Sequence, residues 1–281
     1  MKMKKTNLTY IRMKRLFLSF LTLLTMGLSA QNVEQPAESA DTLSQEQKEL
    51  VFTFAEQFIL NAVDSVMQEG MYMQALEVLD SMQVNWEKVT GKAPSAQMYM
   101  RKGQIYMILE EWQQLVEVTK ECIYYNREIM PDRISALIYS MQGSGYRNLE
   151  QYKDAIRSYE HAVSFYTKAE DLGSQGDMLC SIAYSYDKIG KSSAASSFYE
   201  KGLTKFLQYF NTTKKSLLQS DLKVTDLYMQ SVMGVFGAHL FNMAIHKQDL
   251  GDRVASKEYL LMSAHSGNTT ARSEYNRIYG N

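Results

Sequence analysis

Residues 136–162 read ALIYSMQGSGYRNLEQYKDAIRSYEHA, and the spacing within this stretch decides the fold. Tyr139, Gly143 and Tyr146 fall at i, i+4 and i+7, so a helix would carry all three on one face. Ala155, Tyr159 and Ala162 do the same in a second helix after a tight turn. The small residues Gly143, Ala155 and Ala162 allow close approach of the two helices, and tyrosines fill the space beside them. Such a pair cannot bury its apolar faces alone and calls for copies of itself.

Working outward, the copies recur every forty residues. Ala75, Leu115, Ala155 and Ala195 share one register. Val66, Tyr106, Tyr146 and Tyr186 share another. Val63, Gly103, Gly143 and Ala183 form a small-residue column, and Ile59, Tyr99, Tyr139 and Leu179 a bulky one. Tyr72, Trp112 and Tyr152 open the second helix of three units, with Ser192 departing in the fourth. Gly70 and Gly190 mark turns within units, while Pro94 and Pro131 fall between units, where a helix must stop. Upstream, Ser44 with Gln47 is a capping-box signal for a helix reaching about Gln68, followed by a second over Tyr72–Val89.

The small-facing-tyrosine pairs and the Ala…Tyr…Ala second helices resemble the tetratricopeptide repeat family. Gly143, Tyr146, Ala155, Tyr159 and Ala162 carry the resemblance best, followed by Ala183, Tyr186, Ala195 and Tyr199. The period of forty exceeds the ~34 residues of that repeat, which longer second helices such as Tyr152–Ala169 would explain. Lys102 and Gln142 stand where the family has leucine, so looser packing is expected there. The resemblance implies an all-α, right-handed solenoid of antiparallel helix pairs, extending well over about 50–210 and weakly over 235–265.

The expected organisation is a signal peptide at 1–30, a flexible leader at 31–43, four helix pairs over 44–210, a polar insertion at 211–223, and a degenerate fifth pair with a C-terminal capping helix at 224–281. The signal rests on Lys2, Lys4, Lys5, Arg12, Lys14 and Arg15 ahead of the apolar run Leu16–Leu28, with small residues Ser29 and Ala30 offering cleavage sites. Met13 offers a second start. The chain is therefore expected to be exported, to the periplasm or beyond, with no later segment apolar enough to span a bilayer. Removing the six leader cations from the 30 basic residues leaves 24 against 31 acidic, a net charge of −7. A mildly acidic body without a basic cluster argues against nucleic acid as a ligand.

Chemistry-bearing residues are sparse. Cys122 and Cys180 are the only cysteines among 281 residues. Their register places them in non-adjacent units, so free thiols in packing positions are expected. His161, His239, His246 and His265 show no ligand spacing, although a helix through this stretch could carry His239 and His246 on one face. Gly143-Ser144-Gly145 lies in a packing column with no Lys-Ser/Thr after it, unlike a phosphate loop. No nucleophile elbow appears. The expectation is a non-catalytic chain with no cofactor and no metal.

What the resemblance implies instead is protein binding on the concave face lined by the first helices. The inward positions supply Leu60, Asp64, Met67 and Gln68, then Gln97, Met100, Gln104, Met107 and Ile108. The third unit gives Ser140, Ser144, Arg147 and Asn148, and the fourth Asp177, Cys180, Tyr184, Asp187 and Lys188. Family members that grip acidic C-terminal tails use Lys and Asn in their first units. Leu60, Asp64 and Met100 stand at those places here, so that clamp is not expected. An apolar, methionine-bearing end would grade into a polar one, suiting an amphipathic helix or extended segment. The alternative is a sensor or ligand-binding module in an envelope signalling or glycan-uptake system.

Overall fold

The structure, a computed structural model, describes residues 44–91 and 93–280. The signal peptide and leader expected at 1–43 lie outside the described residues. Twelve helices and no strand are found among the described residues. They divide into two compact units that meet in sequence at Arg127 and Glu128.

The first unit holds α1 (Gln45–Gln68), α2 (Tyr72–Thr90), α3 (Ala96–Ile108) and α4 (Trp112–Asn126). The second holds α5 (Asp132–Asn148), α6 (Tyr152–Lys168), α7 (Leu172–Lys188), α8 (Ser192–Tyr209), the short α9 (Lys214–Gln219), α10 (Leu227–Asp249), α11 (Arg253–His265) and α12 (Thr269–Tyr279). Within the units α1 packs on α2, α3 on α4, α5 on α6, α7 on α8 and α10 on α11.

The turns explain the strict forty-residue register. Gly70, Glu110, Glu150 and Gly190 each adopt a left-handed conformation, with φ of 77°, 57°, 59° and 74°. The next residue then donates its N–H back across the turn: Met71 to Val66 O at 3.1 Å, Glu111 to Tyr106 O at 2.9 Å, Gln151 to Tyr146 O at 2.8 Å and Lys191 to Tyr186 O at 2.9 Å. This closure satisfies carbonyls that a helix end otherwise leaves unpaired. The Val66–Tyr106–Tyr146–Tyr186 column is thus the acceptor of the same turn, repeated four times.

Within the pairs the small columns are contact points. Ala155 and Ala162 are fully buried, and Tyr159 is 1% exposed. A Cβ at Gly143 would stand 2.6 Å from two ring carbons of Tyr159, so this α5 position requires glycine. Cys122 and Cys180 are both buried and are not joined to each other. Burial pushes the Cys122 thiol up to about 12 and the Cys180 thiol well above its ordinary value, with Asp177 adding to the latter.

Two expectations need correction. The packing at Lys102 and Gln142 is polar rather than loose. Lys102 is buried and its Nζ donates to Asp80 Oδ1 at 2.7 Å and Gln83 Oε1 at 2.9 Å, joining α3 to α2. Gln142 Oε1 accepts from Ser158 Oγ at 2.9 Å, joining α5 to α6. A long side chain that buries its stem and pairs its tip replaces a leucine without leaving a void.

The second correction concerns the segment after α8, which is more than a polar insertion. Phe210 and Leu217 are buried in the core of the second unit, and Leu222 packs against it. His265 Nδ1 donates to Leu217 O at 2.5 Å, and the Leu222 N–H donates to His265 O at 2.8 Å. The apolar residues of the segment are spaced irregularly because they line a strap rather than a helix face, so helical periodicity does not reveal them.

A carboxylate ties this strap region together. Glu200 of α8 accepts from Tyr259 Oη at 2.5 Å and from Lys214 Nζ at 3.1 Å. Burial alone would raise its pKa, but the hydrogen bonds from Tyr259 and Lys214 outweigh burial and lower it. A folded-state value below the unfolded one means that the unfolded chain takes up the proton first. The stabilisation is therefore present at neutral pH and fades as pH falls below the ordinary carboxylate value. Tyr259→Phe should flatten the pH dependence of stability between about pH 5 and pH 3, with little difference between the variants once both are acid-destabilised; thermal melts across that range give the comparison.

At the C-terminal end, α12 packs on α11 and buries Ala271 completely. It leaves a groove of about 530 Å³ between α10, α11 and α12, with Phe241, Ile245, Leu260 and Ile278 in its walls. No described helix is long and apolar enough to cross a membrane.

Candidate functional site

The inward residues expected from the sequence divide by unit. In the first unit, Leu60 is 3% exposed and belongs to the core with Ile59, Val63 and Leu79. Leu60 is therefore not available to a groove, because its helix face turns into the α1–α2 contact. Asp64 is occupied: Arg101 of α3 grips both of its carboxylate oxygens, at 2.6 and 3.0 Å. Gln104 accepts from the same guanidinium at 3.2 Å. Met67, Met100 and Met107 are half-buried, whereas Gln68, Gln97 and Ile108 are exposed. This leaves a face of methionines and amides whose charges are already paired.

In the second unit, Cys180 is 1% exposed and fills the space against Gly202, so it too belongs to the core. Ser140 donates to Leu137 O at 2.8 Å within its own helix. The remaining residues converge. Arg147 and Asn148 end α5, Tyr184 stands on α7, and with His239 and Asn242 of α10 they line a cleft of about 300 Å³. Lys188 is exposed beside it, its Nζ 5.2 Å from the centre of the Tyr184 ring. Ser144 supports the α5 side, sharing a hydrogen bond with Tyr159 Oη at 3.3 Å, while its carbonyl receives the Asn148 side chain at 2.8 Å.

The sequence reading placed no residue of α10 in the site. This helix is positioned by two histidines, seven residues apart on one face, and each meets an aspartate of α7. His239 Nε2 lies 2.8 Å from Asp177 Oδ1, and His246 Nδ1 lies 2.9 Å from Asp187 Oδ1. A carboxylate accepts only, so the proton sits on the nitrogen that faces it. The other nitrogen of His246 shares a hydrogen bond with Ser196 Oγ of α8 at 2.7 Å. For His239 the Nδ1 atom is buried without a partner among the described residues. The shared histidine face was legible in the sequence. The two aspartates, ten residues apart on α7, were not recognisable as its partners without the helix packing.

The Asp187–His246–Ser196 chain has the connectivity of an activated nucleophile. Its surroundings do not match that role. His246 is 1% exposed, Ser196 lies inside a helix whose backbone N–H groups are used, and the chain opens into neither described cleft. It functions as a bolt that fastens α7, α8 and α10. No group of three or more potential metal-ligating side chains occurs among the described residues.

The electrostatics of the cleft follow from this pairing. Asp177 and Asp187 are engaged by the histidines, while the Arg147 guanidinium makes no hydrogen bond or ion pair to a described residue. Asn242 and the Tyr184 hydroxyl are likewise unengaged by described groups. What the cleft offers is a cation with amide and phenol donors, walled by an aromatic ring.

Residues 136–168 match the tetratricopeptide repeat family. No curated protein matches the chain. Among solved structures, MamA is similar at 15% identity over 75% of this chain and 96% of its own, with a TM-score of 0.52. The nearly identical TPR-like repeats named for a kinesin light chain of Podosopora anserina are similar at 14% identity over 77% and 96%, with a TM-score of 0.53. The apo form of the quorum sensor NprR from B. thuringiensis is similar at 14% identity over 94% of this chain and 70% of that one, with a TM-score of 0.53. These likenesses establish a shared helical-repeat fold.

Proposed function

We propose, for a chain that carries a tetratricopeptide repeat in an array of like helix pairs, the role of a non-catalytic scaffold in the cell envelope that holds a peptide segment of a protein partner. The fold supports protein–protein interaction, and the charged, apolar and small-residue order of residues 1–30 supports export. The observation that carries the peptide reading is the cleft between α5, α7 and α10, where the side chains of Arg147, Tyr184 and Asn242 and the amide oxygen of Asn148 present polar groups that the described residues leave unused. A few placed polar groups beside an aromatic wall are what orients an extended backbone in a groove.

The test is affinity capture from envelope extracts with the parent chain and two variants. Tyr184→Ala with Asn242→Ala strips the cleft. Met100→Glu with Met107→Glu places charge on the methionine face of the first unit. Partners held by the parent and lost from the cleft variant, with helicity retained by circular dichroism, support the reading. Partners lost only from the methionine variant would transfer the site to the first unit, and an unchanged set on both would reject a groove role. Export is read from the same cells: a mature N-terminus at Ala30 or Gln31 is expected, and a full-length cytoplasmic chain would reject it.

The alternative is a sensor or ligand-binding module; one of the similar structures is called a quorum sensor and another carries a tetratricopeptide repeat sensor. That alternative would appear as captured metabolite rather than captured protein.

A further inference from the structure

We propose that the solvent-facing side of α10 is the contact through which two copies of this chain pair, antiparallel, about a two-fold axis.

α10 is unlike the other helices of the array. From Leu227 to His246 it carries no Asp, Glu, Lys or Arg over twenty residues. Its two histidines are buried and meet α7, and Phe236, Leu240 and Met243 enter the core of the second unit. Apolar residues nevertheless continue round the far side. Leu227 is 81% exposed, Tyr228 56%, Val235 38% and Ile245 43%, with Ser231, Gly234 and Ala238 exposed among them. A helix packed on one side needs one apolar stripe and is ordinarily charged opposite it, whereas a helix apolar all round belongs to a buried setting.

The order of the exposed residues identifies what covers this face. Leu227, Ser231, Gly234, Ala238, the half-buried Phe241 and Ile245 follow one another at steps of three and four, along one stripe. The stripe is bulky at both ends and small in the middle, so it matches its own reverse. A two-fold axis at the level of Phe236 sets Leu227 opposite the partner's Ile245, Ser231 opposite the partner's Phe241 and Gly234 opposite the partner's Ala238. Small residues at the crossing let two helix axes approach closely, and the space over Gly234 is open, since a Cβ there would meet no atom within 4 Å. A symmetric pair requires a surface complementary to itself. This stripe is one.

The charges beyond the stripe agree. Asp249, exposed one turn after Ile245, would come beside the N-terminus of the partner's α10, where a carboxylate is favoured, and the exposed Lys223 stands ahead of that N-terminus. Parallel pairing would instead set Asp249 against the partner's Asp249. A lipid surface is disfavoured, because acids rather than a row of cations border the face. The stripe is about 28 Å long, and two such faces in contact bury about 1,000 Å² over both copies, the lower bound for a specific pair. A weak dimer is therefore expected. Pairing goes beyond the peptide reading and leaves Arg147, Tyr184 and Asn242 to the cleft.

Sedimentation velocity of the full chain at concentrations on the order of 1–100 μM tests the pairing. The parent should pass from monomer to dimer as concentration rises. Ala238→Glu, which sets two carboxylates at the crossing, should stay monomeric with its helicity by circular dichroism unchanged. Val254→Glu, at a 73% exposed position of α11 away from the stripe, should still pair. Cysteine variants fix the direction. Leu227 and Ile245 lie eighteen residues apart, about 27 Å along the helix, well beyond the ~7 Å Cα separation that a disulfide spans. An oxidised mixture of Leu227→Cys and Ile245→Cys chains should therefore yield a crosslinked heterodimer, while neither variant links to itself. If Ala238→Glu loses helicity, this crosslink decides, because both cysteines replace exposed side chains. A parent that stays monomeric throughout, or a folded Ala238→Glu chain that pairs as well as the parent, would overturn the proposal. So would Leu227→Cys chains that link to one another, since only a different register allows it.

Discussion

With His246→Ala, the second unit should unfold about 2–3 kcal/mol more easily than the parent. For a unit of this size that lowers the melting midpoint by roughly 5–10 °C. The imidazole is 2% exposed and satisfies two groups at once, Asp187 on α7 and Ser196 on α8. Its ring also lies 5.4 Å from that of Tyr199. Removing it leaves a cavity against Tyr199 and two polar groups without their partner. The loss is kept below that of a fully buried ion pair because Asp187 is 28% exposed and regains some water. Asp187→Asn should cost less by itself, and the double variant should fall short of the sum, since both changes break one bond. Chemical denaturation of the four chains gives the cycle. Additive losses would show that His246 acts by filling space alone. The same variants should weaken capture in the cleft, because α10 supplies Asn242 and His239 only while the bolt holds.

Glycine-to-alanine substitution should have opposite signs at two positions that look alike in the sequence. Both Gly202 and Gly234 lie inside helices, where alanine is favoured by about 1 kcal/mol. At Gly202 of α8 an added Cβ would meet Cys180 Sγ at 2.4 Å, Gly176 O at 3.0 Å and Cys180 N at 3.2 Å. Two of those three atoms are backbone, so relief requires α7 and α8 to separate. Overpacking of that kind costs about 1–3 kcal/mol and outweighs the helix gain. At Gly234 of α10 no atom lies within 4 Å of the added carbon, so Gly234→Ala should stabilise by about 0.5–1 kcal/mol. Urea titrations of the two variants settle the signs. Equal effects would mean that the α7–α8 contact is not the close one described.

The sequence alone determined the repeat. A forty-residue register survives in the amino acids because each unit solves the same local problem: a turn with one left-handed residue, a carbonyl acceptor at a fixed place before it, and small residues where two helices touch. These constraints act over a few residues, so Gly143, Ala155, Tyr159 and the Tyr106–Tyr146–Tyr186 column could be read without coordinates. Half of the cleft was legible for the same reason, since Arg147, Asn148 and Tyr184 follow from helix position. Only the tertiary structure decided the rest. The pairing of Asp64 with Arg101 joins residues 37 apart, that of Asp177 with His239 residues 62 apart, and that of Asp187 with His246 residues 59 apart. Nothing local distinguishes a carboxylate that a distant helix will occupy from one left to solvent. Which side chains come to line the cleft depends on where α10 comes to rest after the register has slipped, and packing fixes that position rather than period.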